Sequence, residues 1–203
     1  MRGDSDTHTV YRINPDLGGP LDFDPHWIDP PEWEMALERI GVPFPSGMPK
    51  PVFDFTRILA QRLAPRRTPL HECFSYGPYW IVNDAVWSTL STIDPEGFDA
   101  VPAEVRLRDG AIGPPYWLVT LIRFSDSFNE QRSRENGVRI GERGTPNIGI
   151  SAPSVFNAAT LGDALFFRLP QLEIACFCTE RAREALLGAG HTRFHFSVAG
   201  YLV

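Results

Sequence analysis

Lysine is almost missing from this sequence: Lys50 is the single one among 19 basic residues, and the rest are arginine. Such a bias follows high genomic GC content and carries no arginine-specific chemistry. Cysteine is scarce too. Cys73, Cys176 and Cys178 are an odd count and too few for a disulfide scaffold, so the expected compartment is a reducing cytoplasm. No apolar run approaches the roughly 20 residues needed to span a bilayer, and no membrane partner is expected. The first residues, Met1 to His8, are polar and lack the apolar stretch of a signal peptide. There is no Gly-rich phosphate loop, no G-x-G-x-x-G after a strand, no G-x-S-x-G and no H-E-x-x-H. Each absence lowers one enzyme class without excluding enzymes in general.

What remains is an ordinary globular composition. The chain has 203 residues, 43% hydrophobic and 22% charged. At about 150 residues per domain this is one domain, or one domain with an extension. Such a length buries enough surface to fold without a metal or a disulfide. The net charge is −6, and it is concentrated in the first quarter. Residues 1–50 hold Arg2, Arg12, Arg39 and Lys50 against nine acidic groups. A net negative chain offers phosphates no basic face, so no nucleic acid is expected as a partner. The acidic set Asp22, Asp24, Asp29, Glu32, Glu34 and Glu38 reads as solvated loop and helix residues, with steering of a basic partner as the alternative.

Prolines and glycines fill residues 14–51, so long regular elements cannot run through them. Yet Phe23, Trp27, Ile28, Trp33, Phe44 and Phe53 lie in or beside that stretch and need burial. Residues 1–64 are therefore read as an acidic, Pro/Gly-rich extension that wraps the body, and 65–203 as the body itself. Short helices are expected from Pro31 to Gly41 and over 54–63. From residue 78 the pattern sharpens. Tyr79–Val82 reads as a strand, Asn83 as a helix cap, and Val86, Trp87, Leu90 and Ile93 as one helix face. Strands follow at 101–107 and 116–122, separated by the turn signal Asp109-Gly110. Residues 125–147 read as a polar loop or a frayed edge hairpin. Strands at 164–169 and 172–178 precede a helix capped by Thr179 and stopped by Gly188 and Gly190, and 193–203 is a last strand. The class is α+β, with a mostly antiparallel sheet and a few short helices. One echo is visible: Asn83 and Thr179 each follow a strand and open a helix, with Leu90 and Leu186 at the same distance beyond the cap. It is short enough to be either a repeat or generic strand–helix–strand grammar.

Three constellations carry candidate chemistry. Cys176-x-Cys178 with His191-x-x-x-His195 approaches a zinc-finger spacing. The cysteine spacing is one residue short, however, and the helix falls between the pairs instead of bearing the histidines. Buried cysteines on one strand face, with Phe177 on the other, is the plainer reading; no metal and no cofactor are expected. His71-Glu72-Cys73 holds the residue types of an activated thiolate, yet catalytic partners are usually distant in sequence. Tyr76, Tyr79, Trp80, Trp87, Tyr116 and Trp117 could form an exposed binding platform, whereas strand and helix spacing reads Trp80, Trp87 and Trp117 as core.

The apolar pattern and element order of Pro78–Phe98, Val101–Gly110 and Pro115–Val119, with Leu165–Leu169, Ile174–Thr179 and Ala185–Gly190, resemble a bacterial immunity-protein family of polymorphic toxin systems. The resemblance spans about residues 65–203. It implies a small cytoplasmic, non-catalytic protein that binds and neutralises a cognate toxin, and it transfers no catalytic residues. Under it, Asp22, Asp24, Asp29, Glu32 and Glu34 are the candidate contacts to a basic toxin face. An enzyme with a Cys/His site and a ligand- or peptide-binding module are the other readings the residues allow.

Overall fold

The computed structural model describes residues 8–15, 26–30, 40–54, 72–107, 110–141, 144–150 and 152–203. In chain order its elements are β1 (Thr9–Pro15), β2 (His26–Trp27), β3 (Val52–Asp54), β4 (Cys73–Tyr76), β5 (Tyr79–Asn83), α1 (Asp84–Ile93), β6 (Phe98–Arg106) and β7 (Tyr116–Leu121). Then come α2 (Glu130–Glu135), β8 (Ser154–Phe156), α3 (Ala158–Leu161), β9 (Phe166–Leu169), β10 (Leu172–Thr179), α4 (Glu180–Gly188) and β11 (Phe194–Leu202). The strands form a five-stranded sheet, β8-β11-β1-β10-β9, and a six-stranded sheet, β2-β3-β6-β7-β5-β4. Pairing is antiparallel except for β8 with β11 and β3 with β6. This is the expected α+β class.

The sequence echo is a structural repeat. In each sheet a hairpin (β4–β5 or β9–β10) leads into a helix and on to a strand parallel to the one before it, with one antiparallel strand in the slot between. The register repeats too. Trp80 faces Val119 and Val82 faces Trp117 in one sheet, as Cys176 faces Ile13 and Cys178 faces Tyr11 in the other. Phe98 faces Leu121 as Phe194 faces Pro15. Asn83 accepts from the Val86 amide and Thr179 from the Ala182 amide, so both helices are capped by the residue that ends a strand. The slot strand differs in origin: β7 follows β6 in the chain, whereas β1 comes from the N-terminal end.

That last point corrects the reading of residues 1–64 as a wrap alone. β1 lies between β10 and β11 in the middle of its sheet, with Val10 and Ile13 fully buried. Further on, the described residues of this segment pack as follows. Trp27 and Phe53 are buried 5.4 Å apart, and the half-buried Phe44 packs 5.7 Å from Tyr79. The Phe44 amide donates to Asp99 Oδ2 at 2.6 Å. The helices expected at 31–41 and 54–63 lie almost wholly outside the described residues.

Three cores result from strand alternation. Trp80, Val82, Val119, Cys176, Cys178 and Ile13 face the central one, where α1 and α4 bring Val86, Leu90, Ala182 and Leu186. Tyr79, Ile81, Tyr116 and Leu118 face a second core behind one sheet. Val10, Phe167, Ala175 and Phe177 face a third behind the other. The five-stranded sheet curls until one segment serves both its edges. The Ser125 amide donates to Arg168 O on β9 at 2.9 Å, and the Asn129 amide to Val155 O on β8 at 2.8 Å. Both edges are thereby protected from pairing with another chain. The described residues of 125–147 are thus more ordered than a loop: they edge the sheet, form α2 and include a small bridge between Ile140 and Pro146. Gly200 allows the close approach of β8 to β11, since a Cβ there would sit 1.9 Å from the Ser154 carbonyl oxygen.

Candidate functional site

Cys176 and Cys178 share one face of β10 and lie in the central core, with Phe177 on the opposite face. All three cysteines are buried thiols outside any disulfide. Burial pushes the Cys176 thiol up, and pushes that of Cys178 well up, against small offsets from Arg168, Arg12 and Arg183. A reactive thiolate needs the opposite shift. In the native protein these three thiols are expected to resist alkylation at pH 8 and to react together on unfolding. The folded ionisation of Cys176 and Cys178 lies above the unfolded one, so the stability these two contribute is present below about pH 9 and declines as the pH rises beyond it. Thiol labelling with and without denaturant, and unfolding curves between pH 8 and 10, check this.

The histidines part company. His195 is exposed on β11, whereas His191 is buried in the turn after α4. Among the described residues no group of three or more His, Cys, Asp or Glu side chains is arranged to hold a metal ion. His191 instead meets Glu72 Oε2 through Nδ1 at 3.1 Å and Thr89 Oγ1 through Nε2 at 2.8 Å. Glu72 also accepts from the Arg193 amide at 2.9 Å, and Cys73 Sγ donates to Arg193 O at 3.1 Å. The order hydroxyl, imidazole, carboxylate is that of a nucleophile relay. Here, however, the Thr89 hydroxyl donates to the Ala85 carbonyl of its own helix at 3.1 Å. The set ties the α4–β11 turn to α1 and to the start of β4. His71 lies outside the described residues. Glu72 and Cys73 are local neighbours of His71 in the chain, but the side-chain hydrogen bonds seen for them reach His191 and Arg193, more than a hundred residues away.

Two polar centres that no motif marks hold the sheets together. Arg168 is fully buried. Its Nε donates to Leu121 O, its Nη1 to Glu173 O and Ile174 O, and its Nη2 to Pro78 O, at 2.6–3.1 Å. Leu121 and Pro78 belong to one sheet and its hairpin turn, Glu173 and Ile174 to the other. Asp94, at the end of α1, receives Arg123 Nη1 at 2.6 Å and the amides of Leu165 and Phe166 at 3.3 and 3.1 Å. The Arg168 guanidinium thus holds backbone carbonyls alone, and the Asp94 carboxylate holds two amides together with the Arg123 guanidinium.

Of the acidic candidates, Asp29 is exposed just beyond β2 with φ 53°, a left-handed conformation that Asp tolerates better than most residues. Asp22, Asp24, Glu32 and Glu34 lie outside the described residues. The aromatic candidates divide. Trp80 is core at 4% exposure. Trp87 and Trp117 are half-buried at the surface, 5.6 Å apart and tilted by 35°, and Trp117 Nε1 donates to Asp84 Oδ1 at 2.9 Å.

The molecule is therefore an α+β protein of two repeated sheet units, in which the buried Arg168 and Asp94 tie backbone segments together and the half-buried Trp87 and Trp117 lie at the surface beside the exposed Asp84. It belongs to the immunity protein family Imm11, whose family model matches residues 1–201. That match extends the resemblance seen over 65–203 to the N-terminal segment, in agreement with the central place of β1. No curated protein matches the chain. Among the described residues no helix is long and apolar enough to cross a membrane.

Proposed function

We propose that this chain is a non-catalytic, cytoplasmic immunity protein of a bacterial polymorphic toxin system. It binds and neutralises a cognate toxin delivered by contact or by a secretion system. The observation that carries this reading is the family match over nearly the whole chain. The chemistry of the described residues agrees with it. The three thiols are buried, those of Cys176 and Cys178 with raised ionisation, and the Thr89 hydroxyl is held by its own helix. An inhibitor needs a rigid scaffold and complementary charge, not an assembled active site. The candidate contact surface is acidic: Asp22, Asp24, Asp29, Glu32 and Glu34, facing a basic patch on the toxin.

Co-expression with the product of the adjacent gene tests this. Rescue of growth together with co-purification of the two chains is the expected result. Toxicity that the chain does not relieve, with no complex recovered, would overturn the reading.

A further inference from the structure

The internal repeat sets two surface corners side by side for comparison. In the β10–α4–β11 unit, Tyr11 on the slot strand donates its hydroxyl to Glu180 in the first turn of α4. Arg183, one turn further along, ion-pairs with Glu180 at 2.8 Å. Its guanidinium lies 5.2 Å from the Tyr11 ring centre and 5.8 Å from that of Phe196. This corner thus holds a carboxylate, aromatic rings and a cation, all from the same chain.

The β5–α1–β6 unit builds the same corner with one part missing. Register and caps place Trp117 where Tyr11 is, Asp84 where Glu180 is, Trp87 where Arg183 is and Ala100 where Phe196 is. The aromatic donor again reaches the first-turn carboxylate, from Trp117 Nε1 to Asp84 Oδ1. No cation follows. Among the described residues Asp84 has no ion pair, its side chain is exposed, and the two indoles beside it are half-buried. Indole is the best ring for a cation, and a nearby carboxylate adds to the attraction. Trp is also the residue type most often found at the energetic centre of an interface.

We infer that the Asp84–Trp87–Trp117 corner is a docking site for an arginine side chain of a partner protein, with the guanidinium on the indoles and its N–H groups on the free oxygen of Asp84. The protein displays the same pairing internally at Arg183. For the identity of the partner as the toxin, the inference rests on the function proposed above. The recognition chemistry does not rest on it.

Two measurements on the full chain separate the two. The first uses the indole N–H signals of the ¹⁵N-labelled protein, titrated with acetyl-Gly-Arg-Gly-amide and with the same peptide carrying uncharged citrulline. The signals of Trp87 and Trp117 are expected to move saturably in the millimolar range with the arginine peptide, with at least fivefold weaker binding of the citrulline peptide. Asp84→Asn is expected to weaken the response, and Trp87→Arg, which supplies the missing cation internally, to abolish it in a chain with otherwise unchanged spectra. No saturable movement, equal responses to both peptides, or wild-type binding by Trp87→Arg would overturn the inference. The second measurement is toxin affinity, in which Trp87→Arg is expected to weaken binding at least tenfold. Unchanged affinity would remove the corner from the toxin interface and overturn that part. Should the wild-type chain bind no toxin at all, the functional reading fails while the peptide titration still decides the corner.

Discussion

Arg168→Met is expected to lower the unfolding free energy by about 3–5 kcal/mol, the range for breaking a buried charged centre. The guanidinium is fully buried and donates only to backbone carbonyls, two on each sheet unit. Methionine fills much of the volume but leaves those oxygens without donors, and each buried unsatisfied group costs about 1–3 kcal/mol. Some relaxation and water entry bring the total below the simple sum. Arg168→Lys is expected to recover only part of the loss. An ammonium keeps the charge but cannot fork towards carbonyls on two sheets at once. Urea unfolding followed by circular dichroism checks this, provided the slope is unchanged among the variants. A loss below about 1 kcal/mol would mean that the two sheets are held by their apolar cores alone.

The second large effect concerns the partner. Combined charge reversal at Asp22, Asp24, Glu32 and Glu34, with Asp29→Asn, is expected to weaken toxin binding by about 100-fold at low ionic strength, mostly through a slower association rate. Asparagine is chosen at position 29 because the left-handed backbone there suits it, so strain does not confound the result. The affinity of the variant is also expected to vary little with salt, whereas that of the parent falls as salt screens its acidic face. Kinetic binding measurements across a range of salt concentrations read both quantities. Unchanged affinity with unchanged salt dependence would take these residues out of the interface.

The parts of the fold that were legible in the sequence are those whose signals are local. Asn83 and Thr179 announce their helices by capping, and Val86, Leu90, Ala182 and Leu186 mark the buried faces. The alternation in Leu172–Thr179 placed Cys176 and Cys178 opposite Phe177 as observed. β1 was not legible because its justification is remote. Thr9–Pro15 carries Arg12, Asn14 and Pro15 among its residues, and only β10 and β11, far along the chain, make it a strand. For the same reason the repeat showed only as an echo. Its strand–helix–strand stretch is contiguous in both units, but the slot strand of one unit lies at the other end of the chain. The strands β3 and β8, each paired in parallel with a neighbour, are three residues each, too short for any periodicity to register.

The candidate sites follow the same division. The spacing of Cys176, Cys178, His191 and His195 resembled a ligand set, but strand direction buries the thiols and exposes His195, while His191 is taken by Glu72 and Thr89. Nothing local distinguishes Arg168 from a solvent-facing arginine on an alternating strand. Its burial comes from carbonyls contributed by four separate positions. Trp80, Trp87 and Trp117 look alike in sequence. Only the repeat separates the first, a core residue, from the other two, which take surface positions filled in the sister unit by Arg183 and Tyr11.

The measurement that bears most directly on a toxin-binding, non-catalytic protein is titration of the purified cognate toxin's activity with this chain. Stoichiometric neutralisation by binding predicts a linear loss of toxin activity that reaches completion at one chain per toxin, with the toxin recovered intact and active once the complex is separated. Full inactivation at a small fraction of that ratio, or a toxin left permanently altered, would contradict the account and show a catalytic protein instead.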